Sequence, residues 1–293
     1  MVKPILSIII PSYNTADITV NCLKSIYTDK GLKDIPFEVI VVDNVSTDDS
    51  VIKIKNYIKK FVIRNLKFVI NQQNVGYGAA NNQALKIAQG NYTLLLNSDV
   101  IILHGAISQS LNWLCSHPEA IGCTAQLLNS DKSIQPSGGY FPSFLNMVTL
   151  LLRLDDLPLI NHLVPAYHPH PPQFYTHDKF YLTDHAQDWI TGAFMLIRTH
   201  SLKAVNGFSP DFFMYGEEME MCYRLSQKFP QNKFWYLVGP QVIHLGGQSA
   251  KNQQQIFDRE YTGIITFFRL HRPHYQLPII KFLTKVNRLI SHV

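Results

Sequence analysis

Four short runs of Val, Ile, Leu and Phe punctuate the first hundred residues, separated by stretches with helical spacing. The runs are Leu6 to Pro11, Val39 to Asp43, Phe68 to Asn71 and Tyr92 to Asn97. Their apolar residues fill successive positions rather than alternate ones, as expected of parallel strands covered on both faces. Helices are predicted near 17–27, 47–60 and 78–89, the second opening at Ser46-Thr47-Asp48-Asp49. This alternation predicts an α/β architecture, a doubly wound and mostly parallel sheet flanked by helices. Open sheets of that kind bind ligands at the carboxyl ends of their strands.

The polar residues gather at that edge. The fourth run ends abruptly in Asn97-Ser98-Asp99. A carboxylate there can hold a hard divalent cation and, through it, a diphosphate; it can equally cap the next helix or a turn. The first strand is followed by Pro11-Ser12-Tyr13-Asn14, a rigid turn with an aromatic face and amide groups. After the second, Asp43 can accept from a base imide or a ribose hydroxyl, or cap the following helix. After the third comes Asn74-Val75-Gly76-Tyr77-Gly78, whose glycines allow a phosphate or base close to the backbone, or simply a turn. No Gly-x-Gly-x-x-Gly follows the first strand and no P-loop is present, which disfavours nicotinamide, flavin and P-loop chemistry.

The pattern changes after about Pro118. Ile121 to Leu128, Trp189 to Arg198 and Phe234 to Val238 read as strands, Gly138-Gly139 as a bend and Glu217 to Phe229 as a helix. Residues 153–188 are rich in Pro and hold His162, His168, His170, His177 and His185. Their spacings do not suit a helix-borne metal site, and the segment reads as a mobile polar loop. In the block Phe212 to Arg224, Glu220 stands four residues before Arg224, the spacing of a structural ion pair. Glu218 points roughly 100° away from Glu217 on the same helix and is free for other work. His244, in His244-Leu245-Gly246-Gly247-Gln248-Ser249, is either a metal or phosphate ligand or a structural histidine.

With 293 residues, 46% hydrophobic and 16% charged, the chain can bury a large core as an ordinary soluble protein. Its four scattered cysteines lack metal spacing and suit a reducing compartment, and neither a secretory signal nor a membrane span is read. A cytoplasmic location is expected. The net charge of +5 is matched by the tail from Tyr261 to Val293, which holds Arg269, Arg272, Lys281, Lys285 and Arg288 and no acid. This is not a nucleic-acid footprint. The tail mixes apolar and cationic residues at helical spacing. Residues 261–293 therefore either lie on an anionic membrane surface or pack on the catalytic domain or a second subunit, and a homo-oligomer stays open.

In order, these pieces resemble the family 2 inverting glycosyltransferases of GT-A fold, most nearly the rhamnosyltransferase-like branch of bacterial surface polysaccharide synthesis. The likeness covers residues 5 to about 250. It runs through Ile8 to Asn14, Val41 to Asp48, Asn74 to Tyr77, Leu95 to Asp99, Trp189 to Ala193, Phe212 to Arg224 and His244. The resemblance implies that Pro11, Tyr13, Asn14 and Asp43 hold the base and ribose, with Asn74, Gly76 and Asn97 along the nucleotide. It places Mg²⁺ or Mn²⁺ on Asp99 and His244. Glu218 matches the catalytic base, usually the Asp of a Glu-Asp pair; here the pair is Glu217-Glu218. The implied donor is a dTDP-sugar or UDP-sugar, and the acceptor a glycan or lipid-linked saccharide. The Gln-x-x-Arg-Trp motif of processive membrane synthases is absent, so one sugar is added per visit. A sugar-phosphate nucleotidyltransferase and a non-catalytic nucleotide-sugar-binding subunit are the alternatives. Three segments are expected: 1–117 for the nucleotide sugar, 118–250 for acceptor and catalysis, and 251–293 as basic amphipathic helices, peripheral on the inner face of the plasma membrane.

Overall fold

The computed structural model describes residues 3–172, 174, 179–246 and 253–291. The first four strands are β1 (Leu6–Ser12), β2 (Phe37–Asp43), β3 (Leu66–Ile70) and β4 (Tyr92–Leu96), joined through α1 (Ala16–Tyr27), α2 (Ser50–Lys60) and α3 (Tyr77–Ile87). They pair in parallel in the order β3-β2-β1-β4. All seven residues of β1 are buried, which is why its run is apolar at successive positions. Ile8 and Ile10 face one core with Leu23 and Ile26 of α1 and Ile54 of α2, whereas Ile9 faces another with Ala80 and Ala84 of α3. Successive side chains of a strand point to opposite faces, so one strand serves both cores.

The chain continues through β5 (Val100–Ile102), α4 (Ala106–Ser116), β6 (Ala120–Leu128), α5 (Phe144–Leu151), α6 (Pro158–Leu163), β7 (His185–Gln187) and β8 (Phe194–Arg198). It ends with α7 (Thr199–Ala204), α8 (Glu217–Lys228), β9 (Lys233–His244), α9 (Gln253–His271) and α10 (Gln276–Ser291). Strand β8 inserts antiparallel between β4 and β6. Strand β9 runs parallel to β6 and antiparallel to β5 and β7. The result is one nine-stranded sheet, parallel in its first half and mixed in its second. It spans both 1–117 and 118–250.

Two strand boundaries differ from the sequence reading by five residues or more. The strand expected from Trp189 begins only at Phe194. Residues Trp189 to Ala193 form a loop, with Trp189 bridged to Gly139 and its indole N–H donating to the Tyr140 carbonyl at 3.2 Å. The late strand extends to His244, because a bulge takes Val238 to Pro240 out of the ladder between Leu237 and Gln241. Pro240 has no N–H to offer that ladder, so a bulge accommodates it.

The basic tail folds back onto the domain. Ile264, Phe267 and Phe268 of α9 and Ile280 of α10 are buried in the second core. The Asn287 amide donates to the Leu151 carbonyl at the end of α5 at 2.8 Å. The outer side of α10 leaves Ile279, Phe282 and Leu289 exposed. Among the described residues, no helix is long and apolar enough to cross a membrane.

Candidate active site

Two compartments open at the carboxyl edge of the sheet. The smaller, about 90 Å³, is lined by Pro11, Tyr13, Asn44, Asn74, Gly76 and Phe213, among others. Local hydrogen bonds shape it. Asn14, at φ 53°, accepts the Thr47 N–H on its Oδ1 at 2.7 Å, fastening the loop after β1 to the loop after β2. The Gly76 N–H donates to Asn74 Oδ1 at 3.0 Å. Gly76 itself has φ 85°, and a Cβ there would lie 2.4 Å from the Phe213 carbonyl oxygen. Only glycine fits a left-handed residue pressed that closely. Asp43 is fully buried, and both of its oxygens are engaged by Ser46, from N–H at 2.9 Å and from Oγ–H at 2.6 Å. Its carboxylate holds the loop rather than lining the compartment. Asn44, which sequence reasoning passed over, lines it instead and donates to the Gly76 carbonyl at 3.2 Å.

Asn97, Ser98 and Asp99 form the tight turn between β4 and β5, so Asp99 caps no helix. The turn is tied to the end of β9, where the Leu245 N–H donates to the Asp99 carbonyl at 3.0 Å. Across it, His244 Nε2 lies 3.3 Å from Asp99 Oδ1. His244 Nδ1 lies 2.7 Å from Gln135 Oε1, a contact satisfied when Nδ1 carries the proton. In the neutral ring that leaves Nε2, beside the Asp99 carboxylate, able to offer a lone pair to a cation. Asn97 sits beside them, its Nδ2 3.4 Å from Nε2, and its Oδ1 is buried with no partner among the described residues. A carboxylate, an imidazole lone pair and an unpartnered amide oxygen at one strand end fit a divalent cation. Gly247, Gln248 and Ser249 lie outside the described residues.

The larger compartment, about 580 Å³, lies on the far side of Glu218 and is walled in part by Tyr167, Trp189, Thr191, Tyr215 and Glu260. Gly216, in the left-handed region at φ 89°, starts α8 and sets Glu217 and Glu218 on its first turn. Glu218 reaches the cavity; Glu217 does not and is only 2% exposed. One oxygen of each carboxyl is buried with no hydrogen-bond partner among the described residues. Burial pushes both carboxyls up; Glu217 rises well above the usual range because the Glu218 charge adds to desolvation. Backbone N–H groups, including that of Gly192, partly offset the rise at Glu218. Glu220 is the structural member of the trio. Arg224 Nε donates to both of its oxygens, at 2.8 and 2.9 Å, as the i,i+4 spacing predicted.

The same cavity holds a group that sequence reading missed. Ligand atoms of Asp155, Asp156 and His170 lie within 4.8 Å of one another. They are separated in sequence by α6, a helix that falls inside the segment expected to be a loop, and this concealed the group. His177 lies outside the described residues.

A family model described as Glycosyl transferase family 2 matches residues 7–201, about two thirds of the chain. The chain belongs to this family. Relatives of known name include the poly(ribitol-phosphate) beta-glucosyltransferase of Bacillus spizizenii, 37% identical over 109 residues, which are 37% of this chain and 17% of that protein. The rhamnosyltransferase WbbL of Escherichia coli K12 is 26% identical over 160 residues, 52% of this chain and 54% of that one. The chain thus spans about half or less of these relatives. Among solved structures, the mannosyltransferase PcManGT of Pyrobaculum calidifontis, in complex with GDP-Man and Mn²⁺, superposes with a TM-score of 0.57 at 14% identity, covering 97% of this chain and 74% of that one. GalNAc-T7, with UDP, GalNAc and Mn²⁺, gives 0.64 at 12% identity, over 92% of this chain and 48% of that one. At those identities the likeness is one of fold, and the fold is GT-A. The family match ends before α8, so Glu217, Glu218 and the C-terminal helices stand outside it.

Proposed function

We propose that this family 2 member is an inverting, non-processive glycosyltransferase of cell-surface polysaccharide synthesis. It moves a sugar, rhamnose first among those to test, from a dTDP-sugar or UDP-sugar to a hydroxyl of a glycan or lipid-linked acceptor. The observation that carries this reading is the position of Glu218. It faces the large cavity, while Asp99 and His244 stand at a strand end on the sheet edge.

Pro11, Tyr13, Asn74 and Gly76 receive the nucleotide, with Asn14 and Asp43 holding the loops that form its pocket. Asp99 and His244, with Asn97 beside them, would hold Mg²⁺ or Mn²⁺. Such a cation, when bound, offsets the negative charge that develops on the departing diphosphate. Glu218 takes the proton of the acceptor hydroxyl as its oxygen bonds to the anomeric carbon. The bond from that carbon to the diphosphate breaks on the opposite face, its electron pair leaving with the nucleotide. One displacement inverts the configuration. A positioned base contributes on the order of 10²- to 10⁴-fold to the rate.

Glu218→Gln is therefore expected to lower transfer by roughly 10²- to 10⁴-fold with folding and nucleotide binding retained. Product mass and anomeric configuration, read by mass spectrometry and NMR with Mn²⁺ and a panel of sugar nucleotides, check both points. Unchanged turnover in the variant removes Glu218 from the role. Release of inorganic diphosphate from a nucleoside triphosphate and a sugar phosphate would replace the reading with nucleotidyl transfer.

The acceptor reading extends to location. Ile279, Phe282 and Leu289 are exposed on α10, and Lys281 and Lys285 beside them are exposed too. Each cation near an anionic leaflet is worth about 1 kcal/mol. The protein should sediment with phosphatidylglycerol vesicles at low salt, and Phe282→Ser should weaken the association. Protein that stays in the supernatant rules the surface out.

A further inference from the structure

The mechanism above leaves unused a pair of consecutive residues that reach both compartments. Arg259 lines the nucleotide pocket, and Glu260 lines the large cavity. Both lie on α9, beyond the span of the family match.

Resting on the transferase reading, we propose that α9 completes the active site, Arg259 pairing with the phosphate of the nucleotide donor and Glu260 accepting hydrogen bonds from the acceptor sugar.

Three observations carry this. The first is how α9 docks. A Cβ at Gly263 would lie 2.5 Å from the Tyr215 carbonyl oxygen, and one at Gly216 would lie 3.2 Å from Gly263 Cα. Glycine facing glycine brings the helix onto the segment that starts α8, next to Glu217 and Glu218. The second is the helix face. Phe257, Glu260, Tyr261 and Ile264 all line the cavity, the i, i+3, i+4, i+7 set of a single face. Glu260 is the one ionisable carboxyl on that face, and a carboxylate between aromatic rings is a group that accepts from sugar hydroxyls. Desolvation first, and then the Glu218 charge, push its carboxyl up to about 7, placing the two acids within electrostatic reach.

The third is the environment of Arg259. Its guanidinium lies 5.9 Å from the Phe213 ring centroid and 3.1 Å from Met214 Sδ. Neither contact neutralises it, and no ion pair to a carboxylate is formed among the described residues. Among the described residues lining the nucleotide pocket it is the one charged side chain. A guanidinium held beside a nucleotide pocket without a carboxylate suits a phosphate, to which it can donate two parallel hydrogen bonds.

The two residues are separable by substrate. Titration of the full chain with UDP, dTDP, uridine and thymidine reads Arg259 without turnover. Arg259→Gln should weaken the better-binding diphosphate by about tenfold or more and leave its nucleoside within about twofold, and Arg259→Lys should recover part of the loss. Equal weakening of nucleoside and diphosphate, or none, overturns the Arg259 half. Glu260→Ala should raise the acceptor KM about tenfold, with donor affinity within about twofold and Glu260→Gln in between. An unchanged acceptor KM, or a loss that follows donor affinity, overturns the Glu260 half. Melting temperatures near that of the parent keep a folding defect from imitating either result. A parent chain that binds UDP through Arg259 yet transfers no sugar would refute the transferase reading while upholding the Arg259 half.

Discussion

Glu217 and Glu218 are the same amino acid in consecutive positions, and their surroundings give them different chemistry. Glu218 opens onto the cavity; Glu217 is buried away from it. A carboxyl raised in the folded state holds its proton to higher pH than in the unfolded chain. Over the window from the ordinary glutamate range up to the raised value, the native state binds the extra proton, so stability falls as pH rises. Glu217→Gln should then melt higher than the parent at pH 7, by on the order of 1 kcal/mol, with the difference vanishing near pH 4, as a calorimetric series would read. For Glu218 the consequence is kinetic. With Glu218 as the base proposed above, its raised carboxyl should place the acid limb of kcat/KM above the ordinary carboxylate range, as a pH–rate profile would read. Much of this site was legible in the sequence. Asp99, Tyr13 and Gly76 stand on loops after strands and His244 at the end of one, where position alone marks a candidate ligand edge. Asp43 was legible only as a polar residue at a strand end. The sequence had no means of telling a carboxylate that meets a ligand from one that both Ser46 donors occupy.

At the scale of elements, α8 is held by Glu220. Burial alone would raise its carboxyl, but hydrogen bonds from His271 and Arg224 outweigh burial and hold it below the usual value. Arg224 also donates to the Val205 and Gly207 carbonyls, and His271 Nε2 lies 3.0 Å from Glu220. One buried carboxylate thus joins α8 to the turn after α7 and to the end of α9. Arg224→Met leaves that charge short of a partner and should cost about 3 kcal/mol in urea unfolding. The lowered carboxyl contributes stability above its unfolded value, and that contribution fades as pH falls through its folded value. The i,i+4 half of this arrangement was readable from spacing. The His271 half was not, because it joins residues 51 apart. The same limit applies to the strand expected at Trp189. Its apolar letters match a strand, yet Trp189 to Ala193 are held as a loop by Gly139 and Tyr140, some fifty residues away.

Over the whole molecule, strand–helix alternation foretold the parallel half of the sheet, since each apolar strand, the half-buried edge strand β3 included, announces itself locally. It did not foretell the order of the second half. Placing β8 between β4 and β6, and β9 beyond them, depends on pairings between distant segments. Nor did it foretell that the basic tail would bury Phe267 and Phe268 and wall the larger cavity with Tyr261, Ile264 and Asn287. That wall has a consequence for what can enter. Asp155, Asp156, Glu218 and Glu260 face the cavity against a single guanidinium, Arg153. An acceptor carrying phosphate or uronic acid near its reactive hydroxyl meets a field of its own sign, while a neutral or amine-bearing sugar does not. Raising the ionic strength should therefore lower the KM of an anionic acceptor and leave that of a neutral one unchanged. Steady-state rates at 20 and 300 mM salt would separate the two, and equal salt responses would mean that this field takes no part in acceptor choice.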